Sequence, residues 1–162
     1  MTNNPLLSWT PPPHEGESTE PFVDIANLLT ANGLCAPNIM AHDSDNGLMV
    51  LTDLGNHDFA SWLKNYPKDS AKLYRAAADV LVRIQGIPVP DRLIRMTPQV
   101  GADMVGITGE YYCRRHVTDL QSAVHGALAE FAPDPDTLAL RDFHAENLIW
   151  RNAHVGVDQV GL

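Results

Sequence analysis

Two cysteines, Cys35 and Cys113, are all the thiol chemistry this chain has, and they stand too far apart in sequence to form a CxxC pair. That argues against a disulfide-stapled secreted scaffold and against a paired-thiol redox centre. It reads instead as reduced thiols packed inside a cytosolic protein. No run is long and apolar enough to span a bilayer, and no signal peptide is visible, so neither export nor a membrane association is expected. Positive charge is scarce: 11 Lys and Arg face 20 Asp and Glu, for a net charge of −9. A general nucleic-acid or anionic-membrane surface is therefore disfavoured. The acidic surface is compatible with a cationic substrate but does not require one. The seven histidines include no HExxH, and no His/Cys set has structural-zinc spacing. There is no GxxxxGK[ST], no GxGxxG and no GxSxG, so a P-loop, a dinucleotide fold and a nucleophile elbow are unsupported. Internal repeats are absent, and the only compositional bias is in the prolines.

What the chain does have is an ordinary globular composition. Its 162 residues are 44% apolar and 19% charged, enough for one domain with a real core. Residues 1–20, with Pro5 and the run Pro11-Pro12-Pro13, read as an extended Pro-rich leader. Ser18 or Thr19 can cap a helix that carries Phe22, Ile25, Ala26 and Leu29 at helical spacing and ends at Gly33. Residues 39–41 and 48–52 read as strands, with Asn46-Gly47 between them as a tight hairpin signal. Asp53-Leu54-Gly55 follows, then a short helix starting with Phe59, Trp62 and Leu63. Pro67 opens the clearest helix, with Leu73, Ala77, Val80, Leu81 and Ile84 on one stripe and Gly86 with Pro88 ending it. A proline-rich linker reaches Pro98. Residues 99–115 are weakly helical, with Met104 and Ile107 in phase and Gly101, Gly106 and Gly109 weakening the helix. Thr118 can cap a last helix whose stripe is Leu120, Val124, Leu128 and Phe131.

The most informative stretch comes next. Two apolar runs, 138–140 and 148–150, read as short strands clamping a polar loop that holds Asp142, His144, Glu146 and Asn147. The spacing Asp142-x-x-x-x-Asn147 is that of a kinase catalytic loop. There an Asp orients the attacking hydroxyl and accepts its proton, and an Asn five positions later holds magnesium. A polar turn between two core strands is the plain structural alternative.

The loop Arg141-Asp142-Phe143-His144-Ala145-Glu146-Asn147-Leu148 resembles that of the aminoglycoside-phosphotransferase-like kinases, which often read His-Gly-Asp-x-His-x-x-Asn. This chain keeps the Asp, the second His and the Asn, and has Leu140 and Arg141 where His and Gly are usual. The wording from Leu140 to Trp150 is closer to the bacterial cell-wall amino-sugar kinases, which act on N-acetylmuramate and N-acetylglucosamine. The resemblance implies an α+β, protein-kinase-like fold: a partial small-lobe sheet and a mostly helical large lobe. The expected division is leader 1–20, small-lobe remnant with hinge 21–55, and large lobe 56–162. At the hinge, Asp53, Leu54 and Gly55 would meet the adenine of ATP; a plain strand-to-helix turn is the alternative. Asp142 would be the catalytic base and Asn147 a magnesium ligand. His144 would brace the loop or act in catalysis. Glu146 would be a surface carboxylate or reach the metal shell, and Arg141 would pair with a carboxylate or phosphate, or form a structural ion pair.

The family also begins with a strand–loop–strand cover over the phosphates and places a second metal-binding Asp beyond the strand that starts near Val160. Neither is read in this sequence. The chain is therefore expected to be the middle of such a kinase, truncated at both ends and inactive by itself. The parent activity would be ATP- and magnesium-dependent phosphorylation of a small-molecule hydroxyl, with an amino sugar as substrate. A non-catalytic binding or interaction module derived from such a kinase is the alternative. A third possibility, an unrelated acidic helical protein with a chance match, would be supported if Asp142 and Asn147 did not converge on one pocket. Oligomeric state is not legible.

Overall fold

The structure is a computed structural model that describes residues 5–9 and 18–162. It mixes helix and strand. The chain divides into two compact units, Met1–Gly86 with Ala139–Leu162, and Ile87–Leu138.

In the first unit, strands β1 (Pro5–Trp9), β2 (Ile39–Asp43) and β3 (Leu48–Thr52) form an antiparallel sheet in the order β1-β3-β2. β1 corrects two expectations: residues 5–9 are not merely leader, and a strand does exist before Pro11. Its register runs from Pro5 opposite Thr52 to Trp9 opposite Leu48. The sequence hides it because edge strands need no buried face. Leu6 and Leu7 are both exposed, so no alternation marks the segment, and Pro5 occupies the first strand position, where a missing N–H costs least. β3, paired on both sides, buries Met49 and Leu51. The β2–β3 connection is a four-residue loop over 44–47, wider than the two-residue turn that Asn46-Gly47 signals. Asp43 holds it by accepting from the Asn46 backbone N–H (3.2 Å) and Nδ2 (2.8 Å).

Helix α1 (Glu20–Ala31) packs against β2 and buries Ala26 and Leu29. Thr19 is its N-cap residue but its side chain accepts no cap hydrogen bond; its Oγ1 is hydrogen-bonded to His42 Nε2 at 2.6 Å, and Ser18 Oγ accepts from the Glu20 N–H instead. The helix ends in a Schellman pair, Leu34 N to Leu29 O and Gly33 N to Thr30 O, both 3.0 Å.

α2 (Phe59–Asn65) leads through a short 3₁₀ turn at Pro67–Asp69 into α3 (Ser70–Gln85). The α3 stripe buries Leu73, Ala77, Val80 and Ile84, as its period requires, but Leu81 lies at the stripe's margin and is 37% exposed. Phe59, Leu73, Val80, Ile84 and Val160 are the most deeply buried side chains. They join α2 and α3 to a two-stranded ribbon, β4 (Ile149–Trp150) and β5 (Val160–Gly161). Residues 138–140, expected as a strand, are not one. The apolar run is real, since Leu138 is buried, but it has no strand partner, and a short apolar run does not by itself specify a ladder.

The second unit holds α4 (Pro98–Met104), a π-helical turn at Thr108–Cys113, and α5 (Thr118–Phe131). Thr97 caps α4, accepting from Val100 N at 3.3 Å. Met104 and Ile107 are exposed, and the buried positions of this stretch are Gly101, Ala102 and Gly109. Close backbone packing, not a large apolar stripe, joins α4 to α5. Val117, not Thr118, is the N-cap of α5, and no α5 residue is buried; Leu120 and Phe131 of the expected stripe are exposed.

Candidate active site

The loop before β4 is fixed by backbone hydrogen bonds to the segment that opens α2. Phe59 N donates to Leu148 O (2.8 Å), Ala60 N to Ala145 O (3.2 Å), and Trp150 N to His57 O (2.7 Å). The C-terminal end of the loop is thereby pinned to one short stretch of chain. Phe59 is fully buried beneath it, with its ring edge-on to Trp150 at 5.8 Å. Asp58 N-caps α2 through a 2.6 Å bond from Ser61 N, and that bond holds its carboxyl below the usual carboxylate range. The apolar residues around Phe59 thus place the latch, and the latch shapes the loop.

On this frame Asp142 and Asn147 converge. Asn147 Nδ2 donates to Asp142 Oδ2 at 2.7 Å and to the Asp142 carbonyl at 3.0 Å. His144 Nε2 lies 3.2 Å from Asp142 Oδ1, and His144 Nδ1 accepts from Glu146 N at 3.3 Å. An accepting Nδ1 leaves the neutral ring's proton on Nε2, which assigns the tautomer from its partners. The Asp142 carboxylate therefore has one donor on each oxygen. It keeps free lone pairs for a further donor, because it is open to solvent, with its side chain 79% exposed. Glu146 contributes its backbone to the cluster, while its side chain is solvent-exposed; Arg141 is exposed and makes no side-chain hydrogen bond or ion pair among the described residues.

Asp53, Leu54 and Gly55 leave β3 in a turn closed by Gly55 N to Asp53 Oδ1 at 2.8 Å. Gly55 has φ +130°, a conformation that a side chain would strain. The turn lies against the ribbon: a Cβ on Gly55 would stand 3.5 Å from Ile149 Cγ2, and one on Gly161 3.0 Å from Leu54 Cδ1. Asp53 and Leu54 also line a cavity of ≈ 260 Å³ with Cys35, Arg151, His154 and Asp158, among others. Asp142 and Asn147 are not in its walls. Burial pushes the Cys35 thiol up, and Arg151 Nη1, 2.6 Å from its sulfur, offsets part of that shift.

No group of three or more His, Cys, Asp or Glu that could hold a metal occurs among the described residues. The oxygen donors beside Asn147 are its own amide oxygen and the Asp142 carboxylate. This is a hard-oxygen set of the kind magnesium takes, and magnesium commonly draws its remaining ligands from water and substrate phosphates. The residues fit such an ion as a partial site.

Sequence reasoning found the loop and missed its latch. His57, Phe59 and Ala60 engage it mainly through main-chain atoms, which leave no residue-type signature. The only available signal was Asp58 followed three residues later by Ser61 at the head of a helix.

Comparison with known proteins gives a consistent picture. The family model described as APH, phosphotransferase enzyme family, matches residues 7–157. An N-acetylmuramate/N-acetylglucosamine kinase of Caulobacter vibrioides is 35% identical over 87% of this chain and 43% of that protein. Proteins of the same name from Pseudomonas aeruginosa and Pseudomonas putida are 32% and 28% identical, over 66% and 94% of this chain and 30% and 46% of their own lengths. The chain spans less than half the length of each of these relatives.

Proposed function

Since the chain belongs to the phosphotransferase enzyme family, we propose that it carries the catalytic loop of an ATP-dependent kinase that phosphorylates a hydroxyl of an amino sugar. The observation that carries the proposal is the 2.7 Å contact between Asn147 Nδ2 and Asp142 Oδ2 on a loop pinned at its C-terminal end. In this reading Asp142 orients the attacking hydroxyl and takes its proton as the new O–P bond forms and the bond from the γ-phosphorus to the departing ADP breaks. His144 and Asn147 hold the carboxylate in position, each through one oxygen. Magnesium, when bound, neutralises charge on the phosphates, and the Asn147 amide oxygen is the ligand this loop offers it. Asp53, Leu54 and Gly55 serve as the hinge that meets adenine, with residues 21–55 as small lobe and 56–162 as large lobe. The work takes place where ATP is, in the cytoplasm.

The test follows ATP consumption by the full-length gene product with N-acetylmuramate, N-acetylglucosamine and an aminoglycoside. Asp142→Asn is nearly isosteric, so fold and nucleotide binding should persist while turnover falls about 10²–10⁴-fold, the usual worth of a general base. Undiminished turnover in that variant would remove Asp142 from its role. Nucleotide binding with no transfer to any of the three acceptors would favour a binding module instead.

A further inference from the structure

We propose that the Arg114–His116 corner of the second unit is a carboxylate-binding site that takes the acidic member of an amino-sugar pair. This rests on the proposed function in choosing an amino sugar as the ligand. The chain has few cations, yet Arg114, Arg115 and His116 are consecutive. All three are exposed, and none makes a side-chain hydrogen bond or ion pair among the described residues.

The backbone gathers them. The π-helical turn ends at Arg114, which has φ +51°, the only positive φ of a non-glycine residue among those described. That left-handed residue reverses the chain, and Arg115 N closes the reversal on Gly109 O at 3.0 Å. A left-handed conformation at a residue with a Cβ is costly, and such residues cluster where a site is built. π-turns have the same tendency. The reversal forms a cavity of ≈ 520 Å³ walled by Arg114, Arg115, His116, Gln121 and Glu110, with further backbone from the turn. That volume lies within the range of about 300–1,000 Å³ typical of small-molecule sites. A neighbouring cavity of ≈ 540 Å³ shares Arg115 and His116 and extends to the first turn of α5. No side chain caps α5 there, and Asp119 in its first turn lines the same cavity, so the positive end of the helix is offset by one carboxylate.

The chemistry fits one carboxylate attached to a polar ring. The planar forks of Arg114 and Arg115 match a carboxylate through paired N–H···O bonds. The Gln121 amide can bond a hydroxyl or acetamido group. Glu110 in the same wall is the negative counterweight: it repels a bare multivalent anion and can accept from a sugar hydroxyl. N-acetylmuramate carries a lactyl carboxylate and N-acetylglucosamine does not, so this corner would distinguish them.

The experiment is titration calorimetry on the 162-residue chain with N-acetylmuramate, N-acetylglucosamine, lactate and inorganic phosphate. N-acetylmuramate should bind, and the doubly substituted Arg114→Gln, Arg115→Gln protein should bind it about 10–100-fold more weakly, the usual worth of charge-assisted hydrogen bonds. N-acetylglucosamine affinity should not change. Glu110→Gln should tighten N-acetylmuramate, an opposite sign that loss of structure cannot produce. Lactate competing with N-acetylmuramate would locate recognition in the carboxylate. Phosphate binding as well as N-acetylmuramate, or N-acetylmuramate binding unchanged or absent in these comparisons, would overturn the assignment. The Asp142→Asn turnover experiment is independent, so failure of the kinase reading and failure of this site are separable.

Discussion

Asp58 shows how a single carboxylate supports the site without belonging to it. Replacing it with Ala should cost about 1 kcal/mol through the lost N-cap, measurable by urea denaturation. The sign with pH follows from its depressed ionisation, caused first by the Ser61 amide bond. Its contribution is fully present above the unfolded carboxyl value of about 3.9 and is lost as pH falls through the lower folded one. The difference between wild type and Asp58→Ala should therefore shrink in acid. Cys35 offers a second check. Burial raises its thiol and Arg151 partly counteracts it. Alkylation of Cys35 at pH 8 should be slower than that of a small free thiol, and slower again in Arg151→Met. Faster labelling of the variant would contradict the assigned cause. At this scale Asp142 and Asn147 were legible, because their spacing fixes which groups meet. Arg151 against Cys35 was not, because 116 residues of chain separate them.

Among the elements, α4 and α5 depend on an unusually close approach. A Cβ on Gly101 would overlap Leu128 Cδ1, so Gly101→Ala forces the Leu128 side chain to repack. It should destabilise the second unit by about 1–3 kcal/mol, the usual cost of overpacking. Leu128→Ala added to it should recover part of the loss, and a thermal-melt double-mutant cycle measures the coupling. The sequence placed Leu128 on a stripe correctly but read Gly101 as a helix weakener, since propensity carries no information about what lies opposite. α3 was the reverse case. Its buried residues Leu73, Ala77, Val80 and Ile84 repeat every three or four positions, and the structure departs only at Leu81. β1 stayed hidden for want of a buried face, and residues 138–140 were misread for want of a partner. Periodicity reports burial; it does not report pairing.

For the molecule as a whole, the two units differ in how their helices are buried. α3 buries four residues and α5 none. Native-state hydrogen exchange should therefore show α5 amides opening at lower free energy than those of α3; equal protection would contradict this. The resemblance in the loop wording reached the right family from a short stretch, yet it could not show that the first unit is assembled from two separated pieces of chain. That interruption has a consequence in time. During synthesis, the apolar face of α3 is complete long before Trp150 and Val160 exist to cover it. At about 5–20 residues per second, translation from Gln85 to Ile149 takes roughly 3–13 s. For that interval Leu73, Val80 and Ile84 have no ribbon to pack against, and the nascent chain presents a sticky surface to whatever waits at the ribosome.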